Sequence, residues 1–327
     1  MNSRSSSSST NPPPPEDSPS PSYNRIAEHL YLGDKNAASN LDLIAKLKLT
    51  HILTVELIPL PQLISSTCPN LAILHIPLAD VPEADLLSHL EVTTRFLRKA
   101  VEYGSVLVHC YHGVSRSAAV VAAYLMRTRS WNLKTSLEHI RTERPDIEPN
   151  PGFQDQLVLY YKMGCKLEPG NKAFKCYKLK CIQNQVTHTR ILPPEVREFN
   201  HVSTADPRTD GALYRCRKCR QILATQSSVL PHYPRQRQSW TNILSSPAHS
   251  PIECKEGLFL EPLPWMGKVF SSLSDRLHCS KCNSKLGSFS WLGHVSCGCG
   301  GTMSPGIYVN VNRVDRCSML KEVEVNL

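Results

Sequence analysis

Val106-Leu-Val-His-Cys-Tyr-His-Gly-Val-Ser-Arg-Ser-Ala-Ala-Val-Val121 is the stretch on which the reading of this chain turns. Its opening, Val106 to Val108, is a short apolar run expected as a buried strand. Its end continues from Ala118 to Met126 almost without breakers, as a buried helix would. The loop between them carries Cys110, Gly113, Ser115, Arg116 and Ser117. A strand-loop-helix turn leaves free backbone N–H groups at the positive end of a helix dipole, which is an anion site. Cys110 enters that loop from the strand and Arg116 closes it.

The residue types fit one chemistry. A thiolate, not a thiol, is the nucleophile, and helix N–H donors with a nearby guanidinium would stabilise it. Arg116 can grip two oxygens of a phosphoryl group in a planar fork that a lysine cannot imitate. Gly113 lets the backbone curl so that successive N–H groups point inward. Ser117 could donate to the sulfur and help it leave in a second, hydrolytic step. Tyr111, His112, Gly113, Val114 and Ser115 would line the mouth and hold substrate, and His109 is expected to orient the loop from behind. The competing reading is an inert structural cysteine on a βα turn.

His109-Cys-Tyr-His-Gly-Val-Ser-Arg-Ser117 resembles the cysteine-based protein phosphatases, and within them the dual-specificity branch. Ile26-Ala-Glu-His-Leu-Tyr-Leu-Gly33 is similar to that branch's opening strand, and Asn150-Pro-Gly-Phe-Gln-Asp-Gln-Leu157 to its last helix. The resemblance is closest to members with a zinc-binding domain behind the phosphatase domain, and covers most of residues 23–317. It implies hydrolysis of phosphotyrosine and phosphoserine/threonine through a cysteinyl phosphate, without a catalytic cofactor. It implies Asp80, in Pro77-Leu-Ala-Asp-Val-Pro82, as the general acid. Asp85 competes for that role, and its alternative is a helix N-terminal charge. The loop has no lysine of the lipid-phosphatase kind. His112-Gly113 echoes RNA 5′-triphosphatases, although Ser115 and Ser117 stand where those carry Asn and Thr.

Around this centre the chain divides by composition. Residues 1–22 are Ser/Pro-rich and are expected as a disordered tail. Strands alternate with helices over 23–169, which predicts a mostly parallel α/β sheet flanked by helices, with its site at the strands' carboxyl ends. The expected pieces are strands at Ala27–Gly33, Thr50–Leu57 and Ala72–Pro77 and helices at Ser39–Lys48, Glu83–Glu102, Trp131–Glu143 and Pro151–Met163. Residues 170–212 are expected as a linker containing a basic helix over Ala173–Cys181, with Cys176 and Cys181 as stray thiols.

Residues 213–327 are expected as a small zinc-stapled β domain. The first ligand set is Cys216, Cys219, His232 and Cys254, with His249 as a rival; the second is Cys279, Cys282, Cys297 and Cys299. Cys-x-x-Cys supplies two ligands from one turn, and four protein ligands make a closed, structural site. Two zinc ions are expected, and spacing alone leaves an interleaved pairing open. Glu261–Met266, Lys285–Trp291 and Ile307–Val311 are read as strands, with Trp265, Phe289 and Trp291 in the core. A strong chelator is expected to unfold this half and leave the catalytic half largely active.

The net charge of +9 is uneven: residues 1–169 hold 16 Lys+Arg against 17 Asp+Glu, and 170–327 hold 21 against 11. Arg215, Arg217, Lys218 and Arg220 concentrate it beside the first cysteine pair, a patch compatible with RNA or an acidic protein. The resemblance implies partners in maturing large ribosomal subunits and residence in cytoplasm and nucleus. A non-catalytic adaptor acting through the zinc domain is the other function in view. No apolar stretch is long enough to span a membrane, no secretory leader is evident, and the chain is expected to be soluble and unprocessed. The cysteine clustering points to metal, not disulfides.

Overall fold

The computed structural model describes residues 20–198, 212–238 and 254–318. Most of the expected tail, and the rival ligand His249, fall outside them. The chain forms two compact units. The first comprises Met1–Ala79, Thr93–Ala122 and Leu137–Pro149; the second comprises Asp80–Val92, Ala123–Ser136 and Asn150–Leu327.

The first unit contains strands β1 (Tyr23–Ala27) and β2 (Leu30–Gly33), short helices α1 (Lys35–Ala38) and α2 (Leu41–Lys46), β3 (His51–Val55), α3 (Gln62–Thr67) and β4 (Ala72–Ile76). Helix α4 (Leu90–Tyr103) leads to β5 (Val106–His109), and α5 (Arg116–Arg129) and α6 (Leu133–Glu143) follow. The sheet order is β1-β2-β5-β3-β4, parallel except for the edge pair β1-β2. The single strand expected over Ala27–Gly33 is therefore the second arm of a hairpin that turns at His29, whose φ is 61°. The helix expected over Ser39–Lys48 is α2, and the short α1 precedes it, Asp34 and Asn40 capping the two starts by accepting from Ala37 N and Leu43 N. Strand β5 is central and every one of its residues is buried, which is why it reads as an unbroken apolar run. Ala37, Leu43, Ile44, Ile52, Ile64 and Leu107 form one core cluster against it.

In the second unit, α7 (Pro151–Lys162) starts on an Asn150 cap with proline at its first position. Helix α8 (Lys172–Thr189) occupies much of the stretch expected as a linker and is capped by Asn171. Strands β6 (Ala212–Cys216), β7 (Ile222–Thr225), β8 (Val229–Leu230), β9 (Arg237–Gln238), β10 (Gly257–Leu260), β11 (Ser274–His278), β12 (Lys285–Ser290), β13 (Val295–Ser296), β14 (Thr302–Met303), β15 (Gly306–Asn310) and β16 (Val314–Ser318) follow. They form sheets ordered β11-β12-β15-β10-β8, β13-β14-β9 and β16-β6-β7. Glu261–Met266, expected as a strand, is the loop leaving β10, and its Pro262 and Pro264 give no ladder donors. Phe289 and Trp291 are in the core, and Trp265 donates from Nε1 to the Leu223 carbonyl at its edge. Leu179, Ile182 and Val186 of α8 belong to the same core, so this helix is part of the zinc-type β domain's packing.

Candidate active site and metal centres

The loop from β5 to α5 folds around a buried sulfur. Cys110 is 1% exposed. Its Sγ accepts from Ser117 Oγ at 3.1 Å and from the Gly113 N–H at 3.3 Å. One donor comes from the first turn of α5 and one from the curled loop, as an anion at this helix end requires. Gly113 has φ +71°, and a Cβ there would lie 2.5 Å from the Gly33 carbonyl oxygen, so the curl admits only glycine.

The adjoining strands hold the loop. Thr54 on β3 sits opposite His109 in the parallel register. His109 Nδ1 lies 3.2 Å from the Cys110 carbonyl, which can only accept, so Nδ1 carries the proton. Nε2 then accepts from Thr54 Oγ1 at 2.9 Å. Burial lowers the imidazole to about 4, so the neutral ring that this pattern needs is the one present. Arg116 Nη1 donates to Glu56 Oε1 at 2.7 Å and to the Leu78 carbonyl at 3.2 Å, with Arg116 buried and Glu56 partly so. Arg144 donates from Nε to Gly113 O at 2.9 Å, from Nη2 to His112 O at 3.1 Å and from Nη1 to Asn24 Oδ1 at 2.8 Å. Tyr111 and His112 are exposed at the mouth, where Lys35 Nζ lies 5.9 Å from the Tyr111 ring centre.

The structure thus brings Gly113 and Ser117 onto Cys110, with Arg116 in the same loop and its guanidinium on Glu56 and Leu78. Glu56, Thr54 and Arg144 complete the loop's support and were not singled out from sequence. Asp80 lies in the other unit, two residues along the chain from Leu78, on an exposed loop. Asn150 Nδ2 donates to Asp80 Oδ1 at 2.9 Å while Asn150 Oδ1 caps α7 by accepting from Phe153 N at 2.9 Å. The loop presses on the start of α7: a Cβ on Gly152 would meet the Pro82 oxygen at 2.0 Å. Asp85 accepts from the Ser88 N–H at 3.0 Å, the helix-start position that was its alternative role.

The metal-type ligands group as Cys216, Cys219, Cys279 and Cys282, and as His232, Cys254, Cys297 and Cys299, with the ligand atoms of each group within 4.8 Å of one another. This corrects the sequential grouping: the first two cysteines pair with the second Cys-x-x-Cys, and His232 and Cys254 with Cys-x-Cys. The pairing comes from packing between sheets in one core, since the strands beside each group's ligands belong to different sheets. Strand β6 carries Cys216 at its end and β11 leads into Cys279, whereas β10 follows Cys254 and β13 leads into Cys297. Sγ–Sγ distances of 3.7 Å (Cys216–Cys282), 3.6 Å (Cys219–Cys279) and 3.6 Å (Cys254–Cys297) are far too long for disulfides. They fit edges of a thiolate tetrahedron around zinc, about 3.8 Å for a 2.3 Å bond. Buried His232 Nε2 has no hydrogen-bond partner among the described residues, as suits a lone pair turned to a metal. Both groups could hold a metal ion. Cys176 and Cys181 belong to neither, and burial pushes each thiol up to about 12.

Of the basic residues by the first pair, Arg217 and Arg220 both engage Asp315, the former at 3.2 Å. No helix among the described residues is long and apolar enough to cross a membrane.

A buried thiol between a strand and a helix N-terminus, with Ser and backbone donors on its sulfur and an Arg fixed in the same loop, defines a cysteine-dependent phosphatase. The dual specificity phosphatase catalytic domain matches residues 30–163. The chain is 32% identical to the dual specificity protein phosphatase MPK-4 of Drosophila melanogaster over 94% of this chain and 90% of that protein. It is 34% identical to dual specificity protein phosphatase 12 of Rattus norvegicus, over 89% of this chain and 87% of that one. A crystal structure of human DUSP28 shares 37% identity with a TM-score of 0.41, covering 48% of this chain and all of that one. The chain belongs to the dual-specificity protein phosphatases, of the phosphatase 12 type, and is a protein phosphatase hydrolase.

Proposed function

We propose that the chain hydrolyses phosphotyrosine and phosphoserine/threonine through a phosphocysteine formed on Cys110. The observation that carries this reading is the pair of donors on Cys110 Sγ from Ser117 and Gly113. Cys110 thiolate attacks phosphorus, with the phosphoryl oxygens held by loop N–H groups and Arg116. The ester oxygen departs with the bonding pair and takes a proton from Asp80. Water then attacks the phosphocysteine, Asp80 carboxylate accepts its proton, and the sulfur leaves as thiolate with Ser117 donating to it. Orthophosphate and the starting enzyme result. Tyr111, His112, Val114 and Ser115 shape the mouth. The residue types and their hydrogen bonds support these roles.

Two zinc ions, held by the two ligand groups, would be structural: each group supplies four protein ligands and so leaves no position for water. The basic excess of residues 170–327 supports a second role in binding partners, proposed as pre-ribosomal particles or their RNA, in cytoplasm and nucleus. The catalytic test is single-turnover hydrolysis of phosphotyrosine and phosphothreonine peptides. Wild type turns both over, Cys110→Ser neither, and Asp80→Asn slows both by about two orders of magnitude near neutral pH. Turnover by Cys110→Ser at the wild-type rate overturns the mechanism.

A further inference from the structure

The loop that carries Asp80 is held from two sides, and the second side is α8. From α7, Gln156 Nε2 donates to the Ala84 carbonyl at 2.9 Å and its Oε1 accepts from the Leu87 N–H at 2.9 Å. From α8, the buried Tyr177 hydroxyl lies 2.8 Å from Asp85 Oδ1 and 2.9 Å from Gln156 Oε1, its one proton shared between them. Lys178 adds a charge contact to Asp85 Oδ2 at 3.6 Å and reaches Ser88 Oγ at 3.4 Å. Burial, with Cys181 and Asp85 behind it, raises the phenol above its ordinary range, so the hydroxyl stays a donor.

Helix α8 is fixed in its turn to the β domain. Lys175 Nζ donates to Glu261 Oε1 at 2.9 Å and to the Ser227 carbonyl at 3.1 Å. The pair is almost fully enclosed, with 4% and 0% of the side chains exposed. Gln183 Nε2 donates to Ser304 Oγ one helical stretch further on. An enclosed ion pair fixes register more than it adds stability, because shifting the helix would strand both charges. The register it fixes is the one that presents Tyr177 to Asp85, two residues along the helix.

We infer that Tyr177 is a positioning residue for the general acid, and that through it α8 and the β domain set how well Asp80 delivers its proton. This rests on the reading of Asp80 as the acid. Asn150 holds the front of the loop at Asp80, and Gln156 and Tyr177 together hold its Ala84–Leu87 end. Removing the hydroxyl leaves Asp85 and Gln156 short of a donor and loosens the segment that begins at Asp80. A misplaced acid matters in proportion to the basicity of the leaving oxygen. A good leaving group departs unprotonated, and a poor one cannot.

The test compares the full-length chain with Tyr177→Phe, which keeps the ring and removes one oxygen. The substrates are aryl phosphates graded from nitrophenol to unsubstituted phenol leaving groups. The variant is expected to lose about tenfold in kcat on phenyl phosphate and less than about twofold on 4-nitrophenyl phosphate, since only the former leans fully on the acid. Placed on Asp80→Asn, the same change is expected to have no further effect, because both act in one step. Amide hydrogen exchange across 80–92 should quicken in Tyr177→Phe. A uniform loss over all leaving groups, or an undiminished loss on top of Asp80→Asn, overturns the inference. If Asp80→Asn itself shows no dependence on the leaving group, it is the assignment of the acid that has failed.

Discussion

Ser117 Oγ touches the sulfur and not the mouth of the loop, so its contribution falls in the half-reaction where sulfur is the leaving group. Ser117→Ala is expected to leave phosphocysteine formation nearly unchanged and to slow its hydrolysis by about a hundredfold, the loss typical of one donor on a developing anion. Stopped-flow kinetics with 4-nitrophenyl phosphate should then show a burst of one nitrophenolate per enzyme, and a linear trace would refute the assignment. His109 makes a different prediction, about stability. Its folded value of about 4 lies below the ordinary 6.5. The unfolded chain therefore binds more protons between those values, and stability falls as pH falls through that window. The loss approaches roughly 3 kcal/mol below pH 4, taking 1.36 kcal/mol per unit. Urea titrations at pH 7 and 4.5 should show it, and His109→Gln should flatten it. The sequence marked His109 as an orienting residue from its place beside Cys110. It could not show Thr54, which reaches the ring only through sheet register 55 residues away in the chain.

At the scale of elements, the nucleophile loop is a strand-helix junction clamped by a residue from outside it. Arg144 lies at the end of α6 and satisfies two loop carbonyls at once. Arg144→Ala would leave the buried Gly113 carbonyl unpaired, at a cost of about 2 kcal/mol. The expected outcome is a lowered urea midpoint together with weaker inhibition by inorganic phosphate. Unchanged phosphate affinity would mean the loop keeps its shape unaided. The loop itself was legible because its chemistry is local: cysteine, glycine, serine and arginine at fixed offsets. Its clamps were not, since Arg144 and Glu56 sit in unremarkable surroundings until the sheet brings them close. Helix α8 was legible only as a basic segment. Its apolar residues are mixed with lysines, and Lys175 and Gln183, polar by type, are buried by partners far along the chain.

For the whole molecule, the grouping of ligands has a direct consequence for metal content. Cys216→Ser/Cys282→Ser places both lesions in one group, so elemental analysis is expected to find one zinc retained per chain. Loss of both metals would restore the sequential grouping. Spacing could not decide this, because Cys-x-x-Cys fixes two ligands of a tetrahedron and says nothing of which distant pair completes it. Packing in three dimensions decides it. Strand β6, which ends in Cys216, and strand β11, which leads into Cys279, belong to different sheets, and their ligands meet only where those sheets pack into one core. The sequence-based expectation that chelation spares catalysis also changes in this light. Because α8 is packed into the domain that carries both ligand groups, a strong chelator is expected to reproduce the leaving-group signature of Tyr177→Phe and to quicken amide exchange at 80–92.

The crossed ligand pairs also govern how this half of the protein can be made. Cys216 and Cys219 emerge from a ribosome long before Cys279 and Cys282, and His232 and Cys254 before Cys297 and Cys299. Neither centre can close until its late pair has been synthesised, and β6 waits for β16 as an edge partner. The nascent chain thus carries three open thiols, Cys216, Cys219 and Cys254, and the His232 imidazole until the later pairs are made, with no earlier stopping point at which a metal could be sealed in. A premature stop anywhere before Cys299 removes ligands from a centre already begun. For this domain, both groups of four are whole only once Cys299 has been made.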